Sequence, residues 1–188
     1  MPEIWSGVST KLLRLDYLEA PLKSLSLVRA SLVLFTVFQI HGQAQASLEL
    51  GYPTGPHDEL TPGALCERPS EMRYAEGISY CSRDVDSSTK RAVMEEYDRT
   101  LGYRTTQMQR SQFKIDHFIP LCMGGSNREE NLWPQHKTIY EQTDPLEGLA
   151  CEKMAKGRLQ QREAVALIRE AKRNLNRVPA ILNQLQSL

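Results

Sequence analysis

The chain has 188 residues, enough for one domain with a real core, and 40 % of them are apolar, so it needs no staples merely to hold a fold. Lysine plus arginine and aspartate plus glutamate are balanced at 23 each, so net charge neither announces a nucleic-acid binder nor excludes one. Any preference for a charged partner must come from how the charges are distributed.

In chain order, residues 1–29 are weakly basic, carrying Lys11, Arg14, Lys23 and Arg29, and lead into the apolar run "ASLVLFTVFQI" from Ala30 to Ile40. "HGQAQA" follows and ends at Ala46. A basic flank, a short apolar core and small residues at Ala44 and Ala46 are the parts of a secretory signal peptide. The run is about half the ~20 residues a membrane span needs, so it reads as a segment that is removed, leaving no membrane span. A downstream start near Leu27 would explain the long leading region, and a buried or tail-anchoring helix is the alternative. Loss of residues 1–46 removes four basic and three acidic residues, leaving 19 and 20, close to neutrality.

Cys66, Cys81, Cys122 and Cys151 all lie beyond that point. Four cysteines in an exported chain favour two disulfides, with three connectivities open and pairing of chain neighbours, Cys66–Cys81 and Cys122–Cys151, preferred. A zinc-thiolate site is disfavoured because no Cys-x-x-Cys pair occurs.

Residues 47–80 are rich in proline and glycine and read as an extended lead-in, followed by the main domain over 81–188. "SSTKRAVMEEYDRTLG" predicts a helix capped by Ser87 or Ser88, with Val93, Tyr97 and Leu101 on one face and Gly102 as its stop. "QFKIDHFIP", Gln112–Pro120, alternates as a short strand stopped by proline. "MGGSNREEN" is a loop, with Gly124 and Gly125 free to take unusual backbone angles. A second helix is expected from Thr143 and Asp144, with Pro145 in its first turn, to about Lys156. A third runs from Gln161 with Ala164, Leu167, Ile168, Ala171 and Leu175 as its apolar stripe.

The chemistry concentrates in "KIDHFIPLCMGGSNREENLWPQ", Lys114–Gln135. Asp116 and the Asn131 carbonyl are oxygen donors of the kind a hard divalent cation takes. His117, free of metal, can accept a proton from water near neutral pH. Neighbours in a regular strand point to opposite faces, so Asp116 and His117 share a site only where the strand twists or bulges at its end. Trp133 reads as a core anchor under the loop.

With its Asp-His, Ile-Pro-Leu, Gly-Gly-Ser and Asn-Leu-Trp-Pro, this stretch resembles the HNH endonuclease family, especially small exported bacterial members. The similarity extends over most of residues 60–170. The resemblance implies an α+β fold with a ββα-metal core and flanking helices. It implies hydrolysis of nucleic-acid phosphodiesters with one divalent ion, magnesium or manganese favoured. By resemblance His117 is the general base, Asp116 a metal ligand, and Asn131 a metal ligand or catalytic orienter. Where the family often has a final His or Asn on the helix, this chain offers Glu147 and Cys151, one turn apart. His136 and Glu147 are therefore auxiliary candidates.

Beyond Glu152 eight basic residues face only Glu163 and Glu170. Lys153, Lys156 and Arg158 are weak candidates for phosphate contacts, with a solvated helix face as the competing reading. The expected partner is nucleic acid, DNA favoured, read without sequence specificity, and the expected location is outside the cytoplasm, periplasmic or secreted. The rivals are a nucleic-acid-binding module of the same fold without turnover, and a disulfide-bonded interaction protein of the envelope.

Overall fold

The computed structural model describes residues 49–188; the expected signal segment, 1–46, lies outside them. Two small antiparallel sheets and four α-helices make a mixed α+β fold. Strands β1 (Glu71–Arg73) and β2 (Ile78–Tyr80) form a short hairpin, followed by helix α1 (Ser87–Leu101). Strands β3 (Phe113–His117) and β4 (Leu132–His136) form the second hairpin, and β4 runs directly into α2 (Lys137–Ala155). Helices α3 (Gln161–Arg173) and α4 (Val178–Ser187) complete the domain.

The predicted helix over 87–101 forms, but its cap is Asp86, whose carboxylate accepts from the Thr89 amide at 2.7 Å and the Ser88 hydroxyl at 2.8 Å. An ionised carboxylate is the stronger acceptor for the free amides of a first turn, which explains why it displaces the two serines. Gly102 ends the helix at φ 76°, as its position predicts. Helix α2 starts six residues earlier than expected, and Pro145 sits inside it. Ile139, Thr143, Leu146 and Ala150 form one buried stripe running past the proline, and His136 caps the first turn. A proline inside a helix costs about 3 kcal/mol, which burial of that stripe offsets.

In β3–β4, Phe113 pairs with His136, Ile115 with Pro134, Asp116 with Trp133 and His117 with Leu132. Both strands are almost wholly buried. Phe113, Ile115, Phe118, Leu132 and Trp133 pack with Val93, Met94 and Tyr97 of α1. Ile119 and Met123, just beyond β3, join a second cluster with Leu146, Ala150, Ile168, Ile181 and Leu185 from α2, α3 and α4. The β3–β4 hairpin and its loop therefore feed both cores, and the candidate residues Asp116, His117 and Asn131 lie on that shared element.

The segment expected as an unpacked lead-in is extended but packed. Thr61 is fully buried, donating to the Leu132 carbonyl at 2.9 Å and sharing a 2.7 Å hydrogen bond with the Tyr97 hydroxyl. The Cys66 amide donates to the Gly124 carbonyl and the Ser126 amide to the Ala64 carbonyl, so this segment lies along the glycine loop. It also holds β1 and β2, which the proline and glycine content concealed. Cys66–Cys81 and Cys122–Cys151 are the two disulfides, with Cα separations of 5.7 and 6.0 Å. The second ties the turn at 121–123 to α2.

Candidate functional site

The loop after β3 is shaped by two glycines and one asparagine. Gly124 takes φ +83°, a conformation that side chains strain to reach. Gly125 lies so close to the preceding strand end that a Cβ there would stand 1.8 Å from the Ile119 carbonyl oxygen. The Asn131 side chain spans the gap: its carbonyl accepts from the Ile119 amide at 2.8 Å, and its amide donates to the Ile119 and Ser126 carbonyls, each at 2.9 Å. Asn131 is fully buried. It works as a brace that closes the loop, facing backbone instead of an open cation site, so the structure gives no support to its expected role as a ligand.

β3 pairs with β4 in unbroken register through His117, and Asp116 and His117 are both buried but meet different partners, Lys172 and Asn127. The His117 Nε2 lies 3.0 Å from the Asn127 Oδ1. Asn127 donates its own amide to the Ser82 carbonyl at 2.7 Å, which fixes Oδ1 toward the imidazole. Nε2 therefore carries the proton and Nδ1 keeps its lone pair. Burial pushes the imidazole down to about 4, against the hydrogen bond that Nε2 donates to Asn127, with the Arg83 charge adding to the depression. His117 is neutral throughout the neutral range, a proton acceptor in form.

Asp116 is held by two ammonium groups. Lys172 Nζ, from α3, lies 2.6 Å from Oδ2, and Lys114 Nζ 3.2 Å from Oδ1. Burial alone would raise this carboxyl, but the two lysines outweigh it and hold it below its ordinary value. Lys172 also donates to the His117 carbonyl at 2.6 Å and stands 2.7 Å from Glu147 Oε1. That last approach is an ion pair whose angle falls short of a hydrogen bond, since Oε1 has no hydrogen-bond partner. Burial, opposed by Lys172 and reinforced by the Asp116 charge, pushes Glu147 up to about 7. Lys172 is fully buried; burial would lower its ammonium, but the two carboxylates raise it above its ordinary value. Asp116, His117 and Glu147, three of the residues singled out in the sequence, thus meet around a lysine that sequence reading had placed among surface cations.

His136 does not join them. It sits at the other end of the hairpin, where its Nδ1 accepts from the Thr138 amide at 3.3 Å and its ring stacks on Tyr52 with centroids 4.0 Å apart. It caps α2 and packs, which corrects its auxiliary role. Cys151 is oxidised and no ligand. Lys153 is buried, Lys156 is paired with Glu152, and Arg158 donates to the Leu188 carbonyl. Those three lie a turn and a half or more beyond Glu147 at the end of α2, and the structure does not bring them to the site. Closer to it is a surface cavity of about 480 Å³ lined by Arg68, Ser126, Asn127 and Arg128, with Asn127 reaching from its wall to His117.

The donors present do not fit the divalent ion the resemblance implies. Both Asp116 oxygens face lysines, Asn131 is spent on backbone, and Glu147 faces the same ammonium. Among the described residues no three His, Cys, Asp or Glu side chains gather where they could share a metal, and no helix is long and apolar enough to cross a membrane. Comparison of the chain with protein-family models, curated proteins and solved structures gave no match.

Proposed function

We propose that this chain is an exported endonuclease of the HNH type that hydrolyses phosphodiester bonds of nucleic acid, DNA favoured, with His117 as general base. The observation that supports the reading is the hairpin β3–β4 running straight into α2, which sets the Asp116 and Glu147 carboxylates about one lysine, with the His117 backbone carbonyl on the same ammonium and the His117 imidazole turned to Asn127. His117 Nδ1 takes a proton from water as the water oxygen attacks phosphorus, the P–O bond to the leaving sugar oxygen breaks, and that oxygen takes a proton from solvent. Asn127 holds the tautomer that makes Nδ1 the acceptor. Arg68 lines the cavity beside Asn127 and supplies positive charge for the phosphate, while Arg128 in the same lining is paired with Glu67 and Glu130. Two disulfides and the signal-like first segment support an oxidising location.

One specific observation favours a second reading, a nucleic-acid-binding module without turnover: His117 is only 3 % exposed, so water reaches it only if the Asn127 wall opens. The test is the purified, oxidised protein incubated with supercoiled plasmid, single-stranded DNA and RNA. Nicking that falls by ~100-fold or more in His117→Ala is the expected result, the size of a lost general base. Cleavage undiminished in that variant sinks the mechanism. Retarded migration on a gel with no cleavage selects the binding module.

A further inference from the structure

The fully buried Lys172 is the least expected group in the molecule. Its stem comes from α3, where Ala164, Ile168 and Ala171 make the buried face, and its position four residues after Ile168 puts it on that same face. A lysine there costs a great deal unless its charge is met. It is met by three oxygens: Asp116 Oδ2 and the His117 carbonyl at 2.6 Å, and Glu147 Oε1 at 2.7 Å. Two carboxylates and a carbonyl around one point are the oxygen cradle a hard cation takes. Here the point is an ammonium nitrogen covalently attached to the chain.

We propose that Lys172 is a resident cation: its ammonium takes the place of a divalent ion between Asp116 and Glu147, and removing that ammonium turns the same cradle into a divalent-cation site. The inference stands apart from the nuclease reading, because it concerns what the two carboxylates bind and not what the site cleaves. Three features support it. Each Asp116 oxygen already has an ammonium within 3.2 Å, and among the described residues Lys172 has no carboxylate partner besides Asp116 and Glu147, so a divalent ion would have to expel Lys172 from its charge partners. The disulfide Cys122–Cys151 anchors α2 four residues beyond Glu147, and the Asn131 brace anchors the loop, so the cradle is held from both sides with or without the lysine. Lys114, the other cation on Asp116, is shared with the exposed Asp144 at 2.5 Å and does not enter the cradle.

The test reads binding and thermal unfolding, with no need for turnover. Manganese is titrated into the oxidised wild-type protein by calorimetry, and unfolding is followed with manganese and with a chelator. The expected result is no saturable heat and no change in Tm between the two. Lys172→Met keeps the packing of the stem and deletes the charge; it is expected to unfold at lower temperature and to regain several degrees in manganese, a gain that Asp116→Asn added to it abolishes. A tenfold excess of free ion over Kd alone gives ~1.4 kcal/mol of stabilisation. One manganese bound by the wild type and lost in Asp116→Asn overturns the proposal. So does a Lys172→Met protein that manganese neither binds nor rescues. A wild type without nuclease activity but with these binding results refutes the proposed function and leaves the resident cation standing.

Discussion

Two histidines lie at opposite ends of one hairpin of two five-residue strands, and they are buried almost equally, at 3 % exposure for His117 and 8 % for His136. Burial does not separate them; their neighbours do. His136 meets Tyr52, Phe113 and the first amides of α2, so its ring is used up in stacking and capping. His117 meets one asparagine through Nε2, with buried charges behind it and a cavity lined by Arg68, Arg128 and Glu67 beyond. One end of the hairpin is built to begin a helix, the other to hold an imidazole with a spare lone pair.

The strongest way to break that contrast is at the brace. Asn131→Ala leaves the buried amide and carbonyl of Ile119 and the Ser126 carbonyl without partners, at an expected cost of ~3–5 kcal/mol. Urea unfolding measures it; a cost below ~1 kcal/mol would mean that the loop end does not depend on Asn131. Acid comes next. The His117 value near 4 is depressed from an ordinary ~6.5, so the neutral ring contributes stability that is present above the unfolded value and is lost as pH falls from there toward 4. The gap corresponds to ~3 kcal/mol, and His117→Gln is expected to flatten that limb of the stability profile. Glu147 tilts the other way: its carboxyl is raised to about 7, so its contribution is lost as pH climbs toward that value, and Glu147→Gln isolates it. The smallest effect belongs to the capping end. His136→Ala should cost ~1 kcal/mol, the loss of a helix cap, and leave the proposed phosphodiester cleavage unchanged. A loss of cleavage comparable to that of His117→Ala would erase the distinction between the two ends.

Much of this was legible in the sequence because it is local. The Asp-His pair, the glycines and the helix from Gln161 are set by spacing within a few residues, and both disulfides join cysteines that neighbour each other along the chain. The start of α2 was misread because Pro145 is a strong local signal, and only the tertiary burial of Ile139 and Thr143 outweighs it. Asn131 was read by its donor chemistry, while its role as a brace depends on how closely Gly125 approaches Ile119. Lys172 was missed although a signal existed: a lysine in register with Ala164 and Ile168 sits on the apolar face of an amphipathic helix and requires a buried counter-charge. Which carboxylates supply it is a matter of topology, since Asp116 lies 56 residues away. Asn127 was passed over because its partner, Ser82, comes from a segment 45 residues earlier.

Trp133 pairs across the hairpin with Asp116, is fully buried, and has an indole nitrogen without a hydrogen-bond partner. It is also the sole tryptophan after residue 46. The domain therefore carries an intrinsic fluorophore one strand away from its charged centre. A fully buried indole emits at short wavelength, and its emission will redden when the hairpin opens, reporting on the strand that holds Asp116 and His117 without any added label.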